Sequence, residues 1–157
     1  MEKPPIMPDI KTLLEFEEGR KNKPYKCTAN HWTFGVGHKM TENEFKKYPP
    51  GSIIPDDVID KVFESDKHKA LQEAKIYTWF SKLNDARQAV IVSMIFQLGT
   101  FGFAKFQNTI KLISKGNYEG AAEQMLRSLW AKQTPERARR HSEQFKTGVW
   151  CVKYGVE

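Results

Sequence analysis

Apolar residues recur at helical spacing in three stretches of the chain. Ile10, Leu13, Leu14 and Phe16 follow Asp9, a residue suited to cap a helix, and Gly19 supplies a stop. A second stretch opens at Pro55-Asp56-Asp57, where the acidic start suits the positive end of a helix dipole, and is expected to reach about Trp79. The third, residues 85–98, is apolar on most sides through Ala86, Ala89, Val90, Ile91, Val92, Met94, Ile95 and Leu98. A helix of that kind belongs in the middle of a core, and Gly99 is placed to end it.

Between the first two helices the pattern changes. Tyr25, the run His31-Trp32-Thr33-Phe34 and Val36 favour strands, while Asn30, Gly35 and Gly37 supply turns or close backbone approaches. Thr41 and Glu44 have the spacing of a capping box for a short helix, and Tyr48-Pro49-Pro50-Gly51-Ser52 breaks the chain. Several shorter helices are expected after Gly99. One is marked by Thr134-Pro135-Glu136, with Thr134 as its cap, and by Gly148 at its end. Residues 1–8 hold three of the eight prolines and read as a loose tail. The predicted fold is α+β and mostly helical. A small lobe containing a β-hairpin, about residues 19–75, is joined by a long helix to a larger helical lobe, about residues 9–18 with 76–157. Together they form a single domain over 1–157.

Composition narrows this only a little. At 157 residues the chain is long enough for one real core, and 39% apolar against 28% charged residues is ordinary for a globular protein. No apolar run approaches the roughly 20 residues of a membrane-spanning helix. The first residues lack the basic-then-apolar order of a secretory signal. A net charge of +6 favours anionic partners without choosing among them. Lysines and arginines are dispersed and no groove-reading motif is present, so a nucleic-acid role ranks low. Cys27 and Cys151 lack metal or redox spacing and are expected to be reduced. No metal-ligand cluster or phosphate loop is present, so no cofactor and no metal are expected.

The candidate chemistry lies in the first forty residues: Glu17-Glu18-Gly19, then Tyr25-Lys26-Cys27, then Thr33-Phe34-Gly35-Val36-Gly37-His38. Singly these are weak signals, because a glutamate at a helix end is usually solvated and a Gly-x-Gly is usually a turn. Their joint order resembles the phage lysozymes of glycoside hydrolase family 24. The pattern there is Glu, eight residues, Asp or Cys, five residues, Thr, with a nearby Thr-x-Gly-x-Gly-His. Met94-Ile95-Phe96-Gln97-Leu98-Gly99, Phe106-Gln107-Asn108-Thr109, residues 130–140 and Phe145-Lys146-Thr147-Gly148-Val149-Trp150 extend the likeness over roughly residues 9–154. Residues 43–55 fit least well.

The resemblance implies an endolysin: an inverting muramidase that cuts bacterial peptidoglycan and lyses a host cell. It implies Glu18 as general acid, holding a proton near neutrality, and Thr33 as the group that positions water. Cys27 stands where most relatives carry Asp. Gly35 and Gly37 shape the hairpin, and His38 orients it, paired with Asp66. Phe96, Gln97, Asn108 and Thr109 are expected to line the sugar groove. Gln133, Arg137 and Arg140 are expected on the opposite wall, where arginine meets either peptide carboxylates or solvent. A monomer is expected, waiting in the host cytoplasm until a holin-type, membrane-permeabilising partner admits it to the periplasm and cell wall. Two alternatives remain open at this point: a lytic transglycosylase, and a wall-binding module weakened by Cys27.

Overall fold

A computed structural model describes residues 9–155, so the expected loose tail at 1–8 lies outside the described residues. The elements are α1 (Ile10–Glu18), β1 (Lys21–Lys26), β2 (Trp32–Gly35), β3 (His38–Lys39), α2 (Glu42–Lys47) and α3 (Asp56–Lys75). A 3-10 turn (Phe80–Lys82) leads to α4 (Asp85–Ala104), α5 (Gln107–Ser114), α6 (Tyr118–Leu126), α7 (Leu129–Gln133) and α8 (Pro135–Thr147). The fold is mostly helical with one antiparallel sheet in the order β1-β2-β3, as the sequence leads one to expect.

Local signals account for most helix ends. The Asp9 carboxylate accepts from the Thr12 N–H at 2.8 Å, and Gly19 closes α1 with a φ of 72°. Thr41 and Glu44 form the reciprocal capping box, at 3.2 and 2.9 Å. Thr134 departs from expectation. Its hydroxyl donates back to the Trp130 carbonyl at 3.0 Å, so Pro135, preset for the first helical turn, starts α8 without a side-chain cap. Gly148, in the left-handed region at φ 71°, ends it.

Two long helices differ from the sequence reading. α3 stops at Lys75 rather than near Trp79. Tyr77 stacks on Trp79 with ring centroids 4.8 Å apart, and Trp79 and Phe80 are both buried. Residues two apart do not face each other on an α-helix, so the chain leaves helical geometry to bury Trp79 and Phe80 with Tyr77 stacked on Trp79. α4 breaks at Gly99 as expected, but resumes as far as Ala104.

The apolar side chains collect in three groups. Phe34, Ile54 and Ile59 pack the sheet on α3. Gly35 passes Ile59 so closely that a Cβ would stand 2.9 Å from its side chain. Leu13, Leu14, Val36, Phe63, Ala89 and Tyr154 join α1, the hairpin turn, α3, α4 and the C-terminal segment. The third and largest group surrounds α4. Each fully buried leucine contributes about 1.5–3 kcal/mol of burial, and Leu13 and Leu14 have no exposed surface. The end of α1 is thereby fixed between the hairpin and α8. Among the described residues no single helix is long and apolar enough to cross a membrane.

His38 lies between the hairpin and α3, with Nδ1 2.6 Å from Asp66, the expected partner. Its Nε2 meets Glu44 at 2.9 Å, a second acid that the sequence reading did not foresee. Burial opposes the charge of His38, but the hydrogen bonds and negative charges of Asp66 and Glu44 outweigh it and raise its pKa. A raised histidine stabilises the fold fully below its unfolded value of about 6.5, and that contribution is lost as pH rises through the folded value. Glu44 moves the other way. Burial pushes it up, but the Thr41 N–H and His38 bring it below its ordinary value. Its contribution is present above about 4.3 and fades as pH falls through the folded value. Near pH 5 both operate. Urea denaturation of His38→Asn, Asp66→Asn and the double variant near pH 5 should therefore show a coupling of about 1 kcal/mol that shrinks by pH 9. Additive losses at pH 5 would break the proposed pairing.

Candidate active site

Glu18 is the last residue of α1, and Gly19 turns the chain away from it. Its carboxyl lies against the β2–β3 turn. Gly37 there has φ 65°, and a Cβ on it would stand 2.5 Å from Oε1 of Glu18. Both the backbone angle and the close approach require glycine. On its other side Glu18 accepts from Nη1 of Arg137 at 2.7 Å. The pair is largely enclosed, with side chains 16% and 7% exposed.

The sheet supplies the facing wall through its register. Tyr25 on β1 pairs with Thr33 on β2, and Thr33 pairs with Lys39 on β3. Directly opposed residues share a face, so these three side chains form one cross-strand row. Cys27, two positions beyond Tyr25, continues that face where the chain turns. Its carbonyl accepts from the Asn30 N–H at 2.8 Å, and Asn30 takes a positive φ of 66° to complete the turn. Pro24, which has no N–H to give the ladder, sits in the stretch where the β1–β2 register shifts.

Glu18, Tyr25, Cys27, Thr33, Gly37 and Lys39 thus line one cleft of about 360 Å³. Gln97 and Leu98 of α4 and Gln133 and Thr134 of the α7–α8 junction face them. Gln97 is fixed by Trp130, whose indole N–H donates to its side-chain carbonyl at 2.8 Å. Its backbone carbonyl accepts from Lys39 at 3.1 Å, a contact that spans the cleft. Hollows continue on both sides. One of about 490 Å³ shares Glu18 and Cys27 and is bounded by Arg137 and Arg140. Another of about 500 Å³ shares Gly37 and Lys39 and is bounded by Asp66, Phe96 and Phe101. Glu18 lines two of these three adjoining hollows.

Electrostatics separates the groups. Burial pushes the Cys27 thiol up, but the backbone N–H groups of His31 and Ala29, the Thr33 hydroxyl and the positive charge of Lys39 together bring it below its ordinary value. The Thr33 hydroxyl has one hydrogen, and it goes to the His31 carbonyl at 2.9 Å; an ionised Cys27 would compete for it. Tyr25 is raised by burial first, then by the negative charges of Glu18 and Cys27, so it remains a donor in the cleft.

The structure brings Glu18, Cys27, Thr33, Gln97 and Gln133 to the cleft, with Gly37 beneath the carboxyl. Phe96 lies in the adjoining hollow, edge-on to Phe63. Asn108 and Thr109 are not brought there. They sit in the first turn of α5, Asn108 exposed and Thr109 turned inward at 2% exposure, because the Phe106 ring before them packs on Phe103 and Trp130. Arg137 is neither solvated nor free for a peptide carboxylate, since it is buried on Glu18. Arg140 is likewise committed, with two bonds of 2.8 and 2.7 Å to Glu17. Sequence reasoning placed Tyr25 in the candidate segment without giving it a role, and did not name Lys39. Strand register identifies them, since both oppose Thr33.

A family model described as phage lysozyme matches residues 15–155. The chain belongs to the phage lysozyme family. It is 29% identical to a probable T4-type lysozyme 2 of Dictyostelium discoideum, covering 92% of this chain and 97% of that protein. It is 28% identical to the pre-baseplate central spike protein Gp5 of Enterobacteria phage T4, over 92% of this chain but only 28% of that longer protein. An endolysin of Acyrthosiphon pisum secondary endosymbiont phage 1 is 26% identical over 76% of this chain and 75% of its own length. The matched family region takes in both walls of the cleft, from Glu18 to Arg137.

Proposed function

We propose that this phage lysozyme family member is a muramidase that hydrolyses the β-1,4 bond between N-acetylmuramic acid and N-acetylglucosamine in bacterial peptidoglycan, as family 24 glycoside hydrolases do. The observation that carries the reading is the convergence of Glu18, Cys27 and Thr33 in one open cleft. An open cleft with further hollows adjoining it suits cleavage within a polymer better than removal of an end unit.

In this reading Glu18 gives its proton to the glycosidic oxygen as the bond breaks. Glu18 faces the cleft from a largely enclosed position, and the Arg137 guanidinium that holds it steadies the carboxylate left behind. A water held by the Thr33 hydroxyl attacks the anomeric carbon from the opposite side, and Cys27, as thiolate, takes its proton. The outcome is inversion. The thiolate-favouring surroundings of Cys27 support this division of labour and count against a merely wall-binding module. The biological setting we propose is lysis of the host from within. A monomer held in the cytoplasm reaches the wall when a holin-type partner opens the membrane.

Incubation with purified peptidoglycan tests the chemistry. Mass analysis of the released muropeptides should show reducing ends carrying one added water. Exclusively anhydro ends, the mark of a transglycosylase, would overturn the hydrolytic reading, and unaltered glycan would overturn both.

A further inference from the structure

Behind the cleft a run of buried polar groups returns to its starting point. From Glu18 it passes to Arg137, whose Nη2 donates to Ser93 Oγ at 2.8 Å. Ser93 Oγ lies 2.7 Å from Nε2 of His141, and Nδ1 of His141 lies 3.2 Å from the Tyr154 hydroxyl. Tyr154 in turn meets Glu17, the neighbour of Glu18, and Arg140 grips Glu17 with two bonds. Ser93 and His141 have no exposed surface.

Donors and acceptors along this ring fit in one arrangement. Arginine can only donate, and the Glu17 carboxylate held by Arg140 can only accept. Tyr154 therefore gives its hydrogen to Glu17 and accepts from His141 Nδ1–H. Nε2 of His141 is then bare and accepts the Ser93 hydroxyl hydrogen, which leaves the oxygen lone pairs of Ser93 for Arg137. His141 is a neutral imidazole with its proton on Nδ1. Burial first, then the charges of Arg137 and Arg140, push its pKa well down and keep it so. The groups facing it are Arg137 and Arg140 on α8, Ser93 on α4, the Trp130 ring on α7 and Tyr154, with Glu17 of α1 one bond further on, at Tyr154.

We propose that His141 is a positioning residue that holds Arg137 against Glu18 by fixing the hydroxyl of Ser93. Arg137 has few other anchors. Its Nε has no partner among the described residues, and its contact with the Ser93 carbonyl is long, at 3.4 Å. A helical serine whose hydrogen is not claimed turns to bond the carbonyl four residues back. Ser93 would then turn its lone pairs from the guanidinium, which would swing from the acid. The inference rests on Glu18 being the proton donor.

Three substitutions separate the two arms of the imidazole. His141→Gln places a carbonyl where Nε2 accepts from Ser93, His141→Asn places an amide N–H where Nδ1 donates to Tyr154, and His141→Leu keeps neither. If the Ser93 arm positions Arg137, kcat on peptidoglycan should survive best in Gln and fall about tenfold or more in Asn and Leu, with KM little changed. Ser93→Ala reaches the same arm from α4, requires little repacking, and should give a loss that does not add to that of His141→Leu. Losses that follow melting temperature across the set, without the Gln rescue or with kcat and KM affected alike, would reduce His141 to a structural residue. An unchanged kcat in His141→Leu or Ser93→Ala would overturn the proposal. Glu18→Gln serves as the reference. If it stays active, the reading of Glu18 fails; if it is dead while the His141 and Ser93 variants are fully active, only the positioning role fails.

Discussion

A folded Glu18→Gln variant is expected to lose at least a hundredfold in the rate of peptidoglycan cleavage, the lower end of what a general acid contributes. Glutamine keeps the length and shape of the side chain, so it still fits against Gly37, where a bulkier group would collide. Its carbonyl can still accept from Arg137. What it lacks is a transferable proton. The substitution also strips a counter-charge from Arg137, whose side chain is 7% exposed. Weakening a buried hydrogen bond to a charged group costs on the order of 1–3 kcal/mol. For a chain of this size that lowers the melting temperature by several degrees and leaves a folded protein. The measurements are circular dichroism, to establish the fold, and turbidity clearing of a wall suspension. Clearing near the unsubstituted rate by a folded variant would remove Glu18 from the mechanism.

What could be read from the sequence was whatever is decided locally. Asp9, the Thr41–Glu44 capping box, Gly19, Gly99 and Gly148 mark boundaries because caps and positive φ values involve only neighbouring residues. The apolar character of residues 89–95 placed α4 in the core for the same reason. The failures come where distant parts of the chain decide. α3 ends early because Tyr77, Trp79 and Phe80 are drawn to partners elsewhere in the helical core. β1, written Lys21-Asn22-Lys23-Pro24-Tyr25-Lys26, has a strand's conformation without its usual composition, since β2 imposes it. The acid, the thiol and the threonine of the site were legible because one short segment carries all three. Arg137, 119 positions from Glu18, was seen as a member of the far wall but not as the partner of the acid. Nothing in its own helix distinguishes a buried arginine from a solvated one. Only the meeting of α1 with α8 does so.

Cys27 gives the second large effect, through charge as well as position. The thiol faces the cleft beside Thr33, and its surroundings favour the thiolate, so an alkylating reagent should find it faster than an ordinary cysteine near neutrality. A bulky group there fills space that the sugar and the attacking water need, and lytic activity should be lost. Peptidoglycan fragments should protect against the reagent. Cys151 is the internal control, since it lies away from the groove, packed beside the group formed by Leu13 and Tyr154. Substitution then tests the charge. With Cys27, activity should rise with pH as the thiolate forms, below the ordinary thiol value of about 8.5. Cys27→Asp supplies a permanent negative charge among the same N–H groups and Lys39, so it should stay active and carry the rising limb to lower pH. Cys27→Ala has no base to offer, so it should lose both the limb and roughly a hundredfold in rate. Alkylation mapped to Cys27 with the lytic rate unchanged would take the residue out of the working cleft. A Cys27→Ala variant that kept the rising limb would assign that limb to another group and leave Cys27 only its shape.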